Sequence, residues 1–205
     1  AKTWRIKEGR TEVPLNLDAN GSVFVVFERT VHETEANEGP NRIETQTVQI
    51  LDPHWTLSFD PEWGGPGESI EIDSLKSWSS FTDFGIRHYS GTARYTKTIQ
   101  WKEAISQRIW LDLGSVHNLA EVTVNGKVCG IVWTHPYRVE ITTALQKGEN
   151  ILEIGVTNTW ANRLIGDHPL RKEERLTWTT APYVLEGKPL LPAGLLGEVT
   201  IDSGK

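Results

Sequence analysis

Short segments in which apolar residues occupy every second position recur along most of the chain, and no window has the apolar spacing of a helix of three turns. A period of two is the repeat of a half-buried β-strand. In RIWLDLG (108–114), Ile109, Leu111 and Leu113 fall on one side, and NILEIGVTN (150–158) repeats the pattern. Strands with one apolar face bury it by stacking two antiparallel sheets. The sequence therefore predicts an all-β fold, a β-sandwich of the jelly-roll type.

The predicted strands of this sandwich are short and closely spaced, with Gly- and Pro-rich loops between them. Asn125-Gly126 gives the strongest turn signal, because a type I′ hairpin turn needs positive φ at two successive residues. The predicted strands are 47–52, 54–60, one within 61–78, 91–101, 108–114, 120–126, 127–133, 136–142, 150–158 and 197–202.

The N-terminal region has a pattern of its own. EVPLNL (12–17) and SVFVVFE (22–28) read as two strands joined by a hairpin turn at 18–21, and a charged segment containing Gly39-Pro40 follows at 29–46. Two strands alone are barely stable in water, so we expect them to dock on other structure. The sequence predicts a β-hairpin extension with a linker at 1–45 and the sandwich at 46–205.

Composition excludes several classes of partner. The net charge is −6 and basic residues are scattered singly, so we expect no binding to nucleic acid. No apolar run approaches the roughly 18 residues that span a bilayer, so we expect no membrane partner. Because the chain lacks Met, including an initiator, we expect it to be a piece of a longer protein. Cys129 is alone, which excludes an internal disulfide, and we expect it to pack as a small apolar residue.

Catalytic signatures are absent from the sequence. There is no G-x-S-x-G or H-E-x-x-H motif, and the six histidines are singletons. Loop acids could serve a glycosidase only if two of them met across a cleft, whereas their ordinary role is to cap turns or face solvent. We therefore assign no catalytic residue and no metal ligand. The loop acids are Asp60, Glu62, Asp83, Asp167, Glu173 and Glu174.

Nine tryptophans are the anomaly of the composition. An indole face suits the C–H face of a sugar ring, while Asn, Asp and Arg side chains can satisfy its hydroxyl groups. Loops that combine these residue types are therefore candidate carbohydrate-binding sites. An alternative is that Arg163 and Asp167 form an ion pair that pins a corner of the fold. The candidates are Trp160, Asn162, Arg163, Asp167 and Trp178 in one group, and Trp63, Trp78 and Tyr89 in another.

Several motifs carry a family resemblance. YTKTIQW, RIWLDLG, AEVTVNGK, WTHPYRVEIT and GENILEIGVTN, in this order, resemble the galactose-binding-like jelly roll of glycoside hydrolases, as in the sugar-binding domain of family 2 enzymes. VPLNLDANGSVFVVF, WTLSFDPEWGGP, HYSGTARY, TWANRLIGD and LLPAGLLGEV resemble, more narrowly, the C-terminal region of family 106 α-L-rhamnosidase-like proteins. Together they cover roughly residues 10 to 202.

The resemblance implies an accessory role, since such enzymes keep their catalytic carboxylates in a separate domain. It implies that 1–45 is the remnant of a preceding β-domain, that the protein is secreted or periplasmic in a bacterium, and that no cofactor is required, although such jelly rolls can hold a structural calcium ion. We expect a non-catalytic carbohydrate-binding module that targets plant cell-wall polysaccharide and accompanies a catalytic domain. The alternative is a structural β-sandwich that braces the catalytic domain without binding sugar.

Overall fold

The computed structural model describes residues 3–17, 21–30, 32, 41, 44–181 and 185–204. Short strands dominate it, with two short α-helices, α1 (Phe84–Arg87) and α2 (Ala161–Asp167). The strands are β1 (Arg5–Lys7), β2 (Arg10–Glu12), β3 (Thr45–Ile50), β4 (Trp55–Ser58), β5 (Ile70–Ile72), β6 (Thr92–Trp101), β7 (Ile109–Asp112), β8 (Val116–His117), β9 (Leu119–Val124), β10 (Lys127–Val132), β11 (Arg138–Glu140), β12 (Gly148–Thr157), β13 (Gly194–Leu195) and β14 (Thr200–Gly204).

Two antiparallel sheets form the body of the molecule. The larger has the order β10-β9-β12-β6-β4-β5 and the smaller the order β11-β7-β14-β3. Residues of both sheets, such as Ile154 of the larger and Ile201 of the smaller, belong to one buried apolar cluster. β1–β2 and β8–β13 make two further strand pairs. The predicted all-β sandwich is confirmed.

The alternation read in the sequence is the alternation of burial. Leu111 on β7 and Leu152, Ile154 and Val156 on β12 are fully buried, whereas Asp112 faces outward. Each such side chain contributes about 1.5–3 kcal/mol by leaving water. A register shift of one residue would place this apolar set in solvent, so the pattern also fixes the pairing of β12 with β6 and β9.

The predicted turn between β9 and β10 is confirmed. Asn125 and Gly126 have φ values of 52° and 76°, and Val124 pairs with Lys127 across the turn. The Asn125 amide nitrogen also donates to the carbonyl of Ala144 and to Oδ1 of Asn150, at 2.9 and 2.8 Å. Asn therefore serves here both by tolerating positive φ and by tying the turn to a neighbouring loop.

The N-terminal strands are not where the sequence analysis predicts them. β1 and β2 pair across Glu8-Gly9, whereas residues 13–17 and 21–28 form no strand. Most of the predicted turn, 18–20, lies outside the described residues. An apolar pattern becomes a strand only when a partner strand satisfies its backbone groups, and the described residues offer 21–28 none. The prediction of two paired strands at 12–17 and 22–28 was wrong.

The two helices pack together beside the sandwich. Asp83 caps α1 by accepting a hydrogen bond from the Ile86 backbone nitrogen at 2.9 Å. On α2, a Cβ atom at Gly166 would lie 2.6 Å from Cγ of His88, so only glycine permits this approach. The contact fixes where α2 lies relative to the end of α1. Within the described residues, no helix is long and apolar enough to cross a bilayer.

Candidate functional site

Three tryptophans that are distant in sequence come together at one edge of the sandwich. Trp63 ends a 3-10 turn after β4, Trp160 stands at the N-terminus of α2, and Trp178 follows on the loop after α2. The turn at Trp63 is defined by Asp60, whose carboxylate accepts from the Glu62 nitrogen, and by Gly64 with φ of 78°. The local sequence D-P-E-W-G thus determines the position of the first indole.

These indoles line an open cavity that we call the tryptophan shelf. The rings of Trp63 and Trp160 meet edge to face, with centroids 5.3 Å apart and planes at 76°. The side chains of Trp63, Trp160 and Trp178 are 42%, 54% and 81% exposed. The cavity has a volume of about 470 Å³ and is lined by Trp63, Trp160, Leu164, Leu176, Thr177, Trp178 and Thr179.

A buried ion pair lies beneath the shelf. Nε and one terminal nitrogen of Arg163 donate to Oδ1 of Asp167, at 2.9 and 2.7 Å. Oδ2 of Asp167 accepts from the backbone nitrogen of Thr177 at 2.7 Å and from its hydroxyl at 2.8 Å. Both charged side chains are almost fully buried. The alternative raised from the sequence is therefore the one observed: Arg163 and Asp167 satisfy each other and do not face a ligand.

The ion pair determines how the shelf is built. By holding Thr177, Asp167 ties the loop that carries Trp178 to α2, which carries Trp160. Arg163 in turn fills the space beside Gly64, where a Cβ atom would lie 2.6 Å from one of its guanidinium nitrogens. The three indole-bearing segments are thus joined through one pair of charged side chains.

Asn162 is also occupied by the fold. Its side-chain nitrogen donates to the carbonyl of Leu191 and its oxygen accepts from the Leu191 backbone nitrogen, both at 2.8 Å. This pair of hydrogen bonds fastens the 185–193 segment to α2. Because both polar atoms of the amide are used and the residue is buried, Asn162 is removed from the candidate sugar ligands.

Trp78 and Tyr89 do not belong to a surface site, and placing them there was wrong. Both are fully buried, and each packs edge to face against Phe59. The Trp78 indole donates to the Tyr95 hydroxyl at 2.7 Å, and the Tyr89 hydroxyl donates to the carbonyl of Thr92 at 3.0 Å. Their polar atoms have partners inside the protein, which is what allows these rings to be core residues.

Four shelf residues were missed by the sequence analysis: Leu164, Leu176, Thr177 and Thr179. Leu164 could have been predicted, because it follows Trp160 by four positions and residues at this spacing share a helix face. No sequence pattern indicates Leu176, Thr177 or Thr179, because their position depends on the contact of Thr177 with Asp167.

Two of the six loop acids act as N-caps. Asp60 and Asp83 each accept a hydrogen bond from a backbone nitrogen at the start of a helical turn. Within the described residues, no three His, Cys, Asp or Glu side chains are grouped to hold a metal ion. The calcium ion that the resemblance allows, through backbone oxygens, stays a prediction.

The ion pair predicts a pH dependence of stability. Burial raises the pKa of the Asp167 carboxyl group, but hydrogen bonds from Arg163 and Thr177 outweigh it and hold the pKa below its ordinary value. The unfolded chain therefore takes up the proton first as pH falls, so this stabilisation is present above about pH 4 and is lost at lower pH. We expect the unfolding free energy to fall more steeply below pH 4 in the wild type than in Asp167→Asn.

Urea unfolding at a series of pH values checks this, read as the difference between the two proteins. The difference curve cancels other acids such as Asp52, whose pKa is lowered to about 2, chiefly by its hydrogen bond from Lys97. Parallel curves for the two proteins between about pH 2 and pH 5 would contradict the assignment.

Several known proteins are similar to this chain. Residues 82–182 match the family described as glycosyl hydrolase 2 galactose-binding domain-like. A provisionally named beta-glucuronidase of Formosa agariphila is 38% identical over 159 residues, which are 65% of this chain and 14% of that protein.

Two solved structures extend the comparison. The rhamnosidase from Novosphingobium sp. PP1Y superposes with a TM-score of 0.87 and 39% identity, over 98% of this chain and 19% of that one. The beta-D-glucuronidase of Dictyoglomus thermophilum gives a TM-score of 0.54 at 21% identity, over 82% of this chain and 29% of that one, and shows the fold alone. The chain thus spans about a fifth of the rhamnosidase. The resemblance predicted from the sequence is confirmed: residues 82–182 match the galactose-binding-like domain family of glycosyl hydrolases, and the whole chain is a β-sandwich similar to part of a rhamnosidase.

Proposed function

We propose that this domain is a non-catalytic carbohydrate-binding module of a secreted bacterial glycoside hydrolase, and that it holds the enzyme on plant cell-wall polysaccharide. The observation that carries the proposal is the tryptophan shelf. Three indoles converge there on an open cavity and keep much of their area in water. Exposed clusters of large apolar side chains mark binding surfaces, because leaving them in water is unfavourable.

The shelf fits the C–H face of a sugar ring. Indole rings supply flat apolar area, and each carries one N–H donor at its edge. The hydroxyl of Thr179 lies on the same cavity and can also donate. A sugar stacked here keeps most of its hydroxyl groups toward the open side, where water satisfies them.

The shelf is also held in place before a ligand arrives. Asp167 fixes the loop of Trp178, and Asn162 fastens the 185–193 segment to α2. A surface that is already ordered costs less conformational entropy on binding than a mobile loop does. This rigidity supports a binding role for the indoles.

The chemistry of the lining supports a non-catalytic role. A glycosidase needs two carboxyl groups on either side of the scissile bond, about 5 to 10 Å apart. The side chains of the shelf include no carboxylate, and Asp167 beneath it is engaged by Arg163 and Thr177. We assign hydrolysis to the part of the longer enzyme that lies outside this chain.

Trp178→Ala tests the proposal. We expect the dissociation constant for plant polysaccharide to rise at least about tenfold, because truncating a central tryptophan removes a large contact area. Isothermal titration with neutral galactan, xyloglucan and arabinan measures the change. Trp133→Ala is the matched control, since Trp133 is 73% exposed but does not line the shelf. Equal affinity of the wild type and Trp178→Ala, or no binding of the wild type to any of these glycans, would contradict the proposal.

A second candidate function is favoured by a different surface. Residues 23–27 expose five apolar side chains in succession, and Phe24 is 96% exposed. Such a segment suits a domain that braces a neighbouring domain through its N-terminal region. Under this candidate, Phe24→Ser combined with Phe27→Ser lowers the melting temperature of the longer enzyme and leaves glycan affinity unchanged. A melting temperature equal to that of the wild type would remove the candidate.

A further inference from the structure

We infer that the tryptophan shelf takes uncharged saccharides and rejects uronic acids. This inference rests on the proposed binding function and names its ligand class. It is not given by the relatives, since two of the similar proteins carry the name glucuronidase. The charges in and around the shelf carry the argument.

Among the residues that the structure describes, no side chain that lines the shelf is charged. Its seven residues are three tryptophans, two leucines and two threonines. A carboxylate placed on this surface would lose part of its hydration and would find no Arg or Lys side chain to pair with. Burying an unpaired charge is far costlier than leaving a hydroxyl group against the same surface. The lining therefore selects against a ligand whose contacting face carries a carboxylate.

The positive charge of Arg163 is already paired. Arg163 lies directly below the shelf, but two of its nitrogens donate to Oδ1 of Asp167. Both residues are buried, so the pair presents no net charge to a ligand. A uronate could take over these two nitrogens only by displacing Asp167, which would also release Thr177 from its two hydrogen bonds.

The other charged residues that flank the lining in sequence supply no net positive charge. Arg175 precedes Leu176, but its guanidinium donates to the carbonyls of His168 and Leu170, both at 2.9 Å. Glu62, on the other side, precedes Trp63 and is exposed and negative. The two flanking charges are of opposite sign, so neither a cluster of positive charge nor a steering field for anions is formed.

The charge of the whole chain acts in the same direction. With a net charge of −6, the domain repels a polyanionic polysaccharide such as de-esterified pectin at low ionic strength. Screening weakens this repulsion as salt rises, whereas stacking of a neutral sugar on indole is little affected. The two classes of ligand therefore differ in the salt dependence of their binding.

Matched glycans test the inference on the intact chain. The probes are methyl-esterified homogalacturonan and the same polymer after de-esterification, together with the neutral galactan and xyloglucan used above and their C6-carboxylated forms. Isothermal titration is run at about 20 mM and about 500 mM NaCl. We expect the tightest ligand to be uncharged, its affinity to be nearly independent of salt, and its carboxylated counterpart to bind at least about tenfold more weakly at low salt.

A variant that supplies the missing cation sharpens the test. Thr179→Lys changes an exposed lining residue that is outside the ion pair, and we expect it to shift the affinity ratio at least about tenfold toward the carboxylated glycan at low salt. A carboxylated glycan that binds the wild type most tightly would overturn the inference and leave the binding function standing, as would a ratio unchanged in Thr179→Lys. Failure of every glycan to bind would overturn both.

Discussion

Asp167→Asn is expected to lower the free energy of unfolding by about 3–5 kcal/mol, because it leaves the buried Arg163 guanidinium without its counter-charge. The amide can still accept a hydrogen bond from Thr177, but it cannot neutralise Arg163. For a domain of 205 residues, this loss corresponds to a decrease in melting temperature on the order of 10 °C. Denaturant unfolding followed by tryptophan fluorescence measures it.

The control for this variant is an ion pair of the same chemistry on the surface. Arg171 and Glu174 pair three positions apart, but both are exposed to water. We expect Glu174→Gln to leave the unfolding midpoint unchanged, because water replaces the lost partner. A loss of unfolding free energy below about 1 kcal/mol in Asp167→Asn would show that the Arg163–Asp167 pair does not stabilise this part of the fold.

A second comparison separates loss of charge from loss of packing. Replacing Arg163 and Asp167 together with leucine removes both charges, so no uncompensated ion stays buried. Double replacements of this kind are often far less destabilising than removal of one partner. We expect the double variant to be more stable than Asp167→Asn but to release the Thr177 loop, and therefore to lose glycan affinity.

The sandwich could be predicted from the sequence because its cause is local. The alternation in β7 and β12 follows from burying one face of each strand, and Asn125-Gly126 encodes its own turn through positive φ. The fate of residues 22–28 could not be predicted, since an apolar, β-branched run records the capacity to pair and leaves the partner unspecified. Residues 23–27 are all apolar, yet the described residues include no strand beside them.

The role of each tryptophan was not readable from its neighbours. Trp78 lies in KSWSS (76–80) and Trp178 in LTWTT (176–180), so both stand between small hydroxylated residues. One is fully buried and the other is 81% exposed. What separates them is tertiary: Tyr95 provides an acceptor for the first indole inside the core, and Asp167 ties down the residue before the second at the surface.

This difference predicts that replacing tryptophan with alanine lowers stability strongly at Trp78 and very little at Trp178. Trp78→Ala should lower the free energy of unfolding by about 3–5 kcal/mol, because it empties a fully buried volume. It also removes the edge-to-face contacts with Phe59 and Tyr89, and the Tyr95 hydroxyl loses one of its two hydrogen-bond donors. The Tyr95 hydroxyl still accepts from the Leu195 nitrogen, so the loss is mainly one of packing.

Trp178→Ala, in contrast, should leave stability within about 0.5 kcal/mol of the wild type, since the indole makes little contact that folding buries. Urea unfolding of the two variants in parallel compares their stabilities, and glycan titration compares their affinities. Trp78→Phe keeps most of the volume and should recover most of the lost stability, which separates packing from the hydrogen bond to Tyr95. If Trp78→Ala and Trp178→Ala unfold at the same urea concentration, the division of the tryptophans into core and shelf fails, and the binding site proposed on the shelf fails with it.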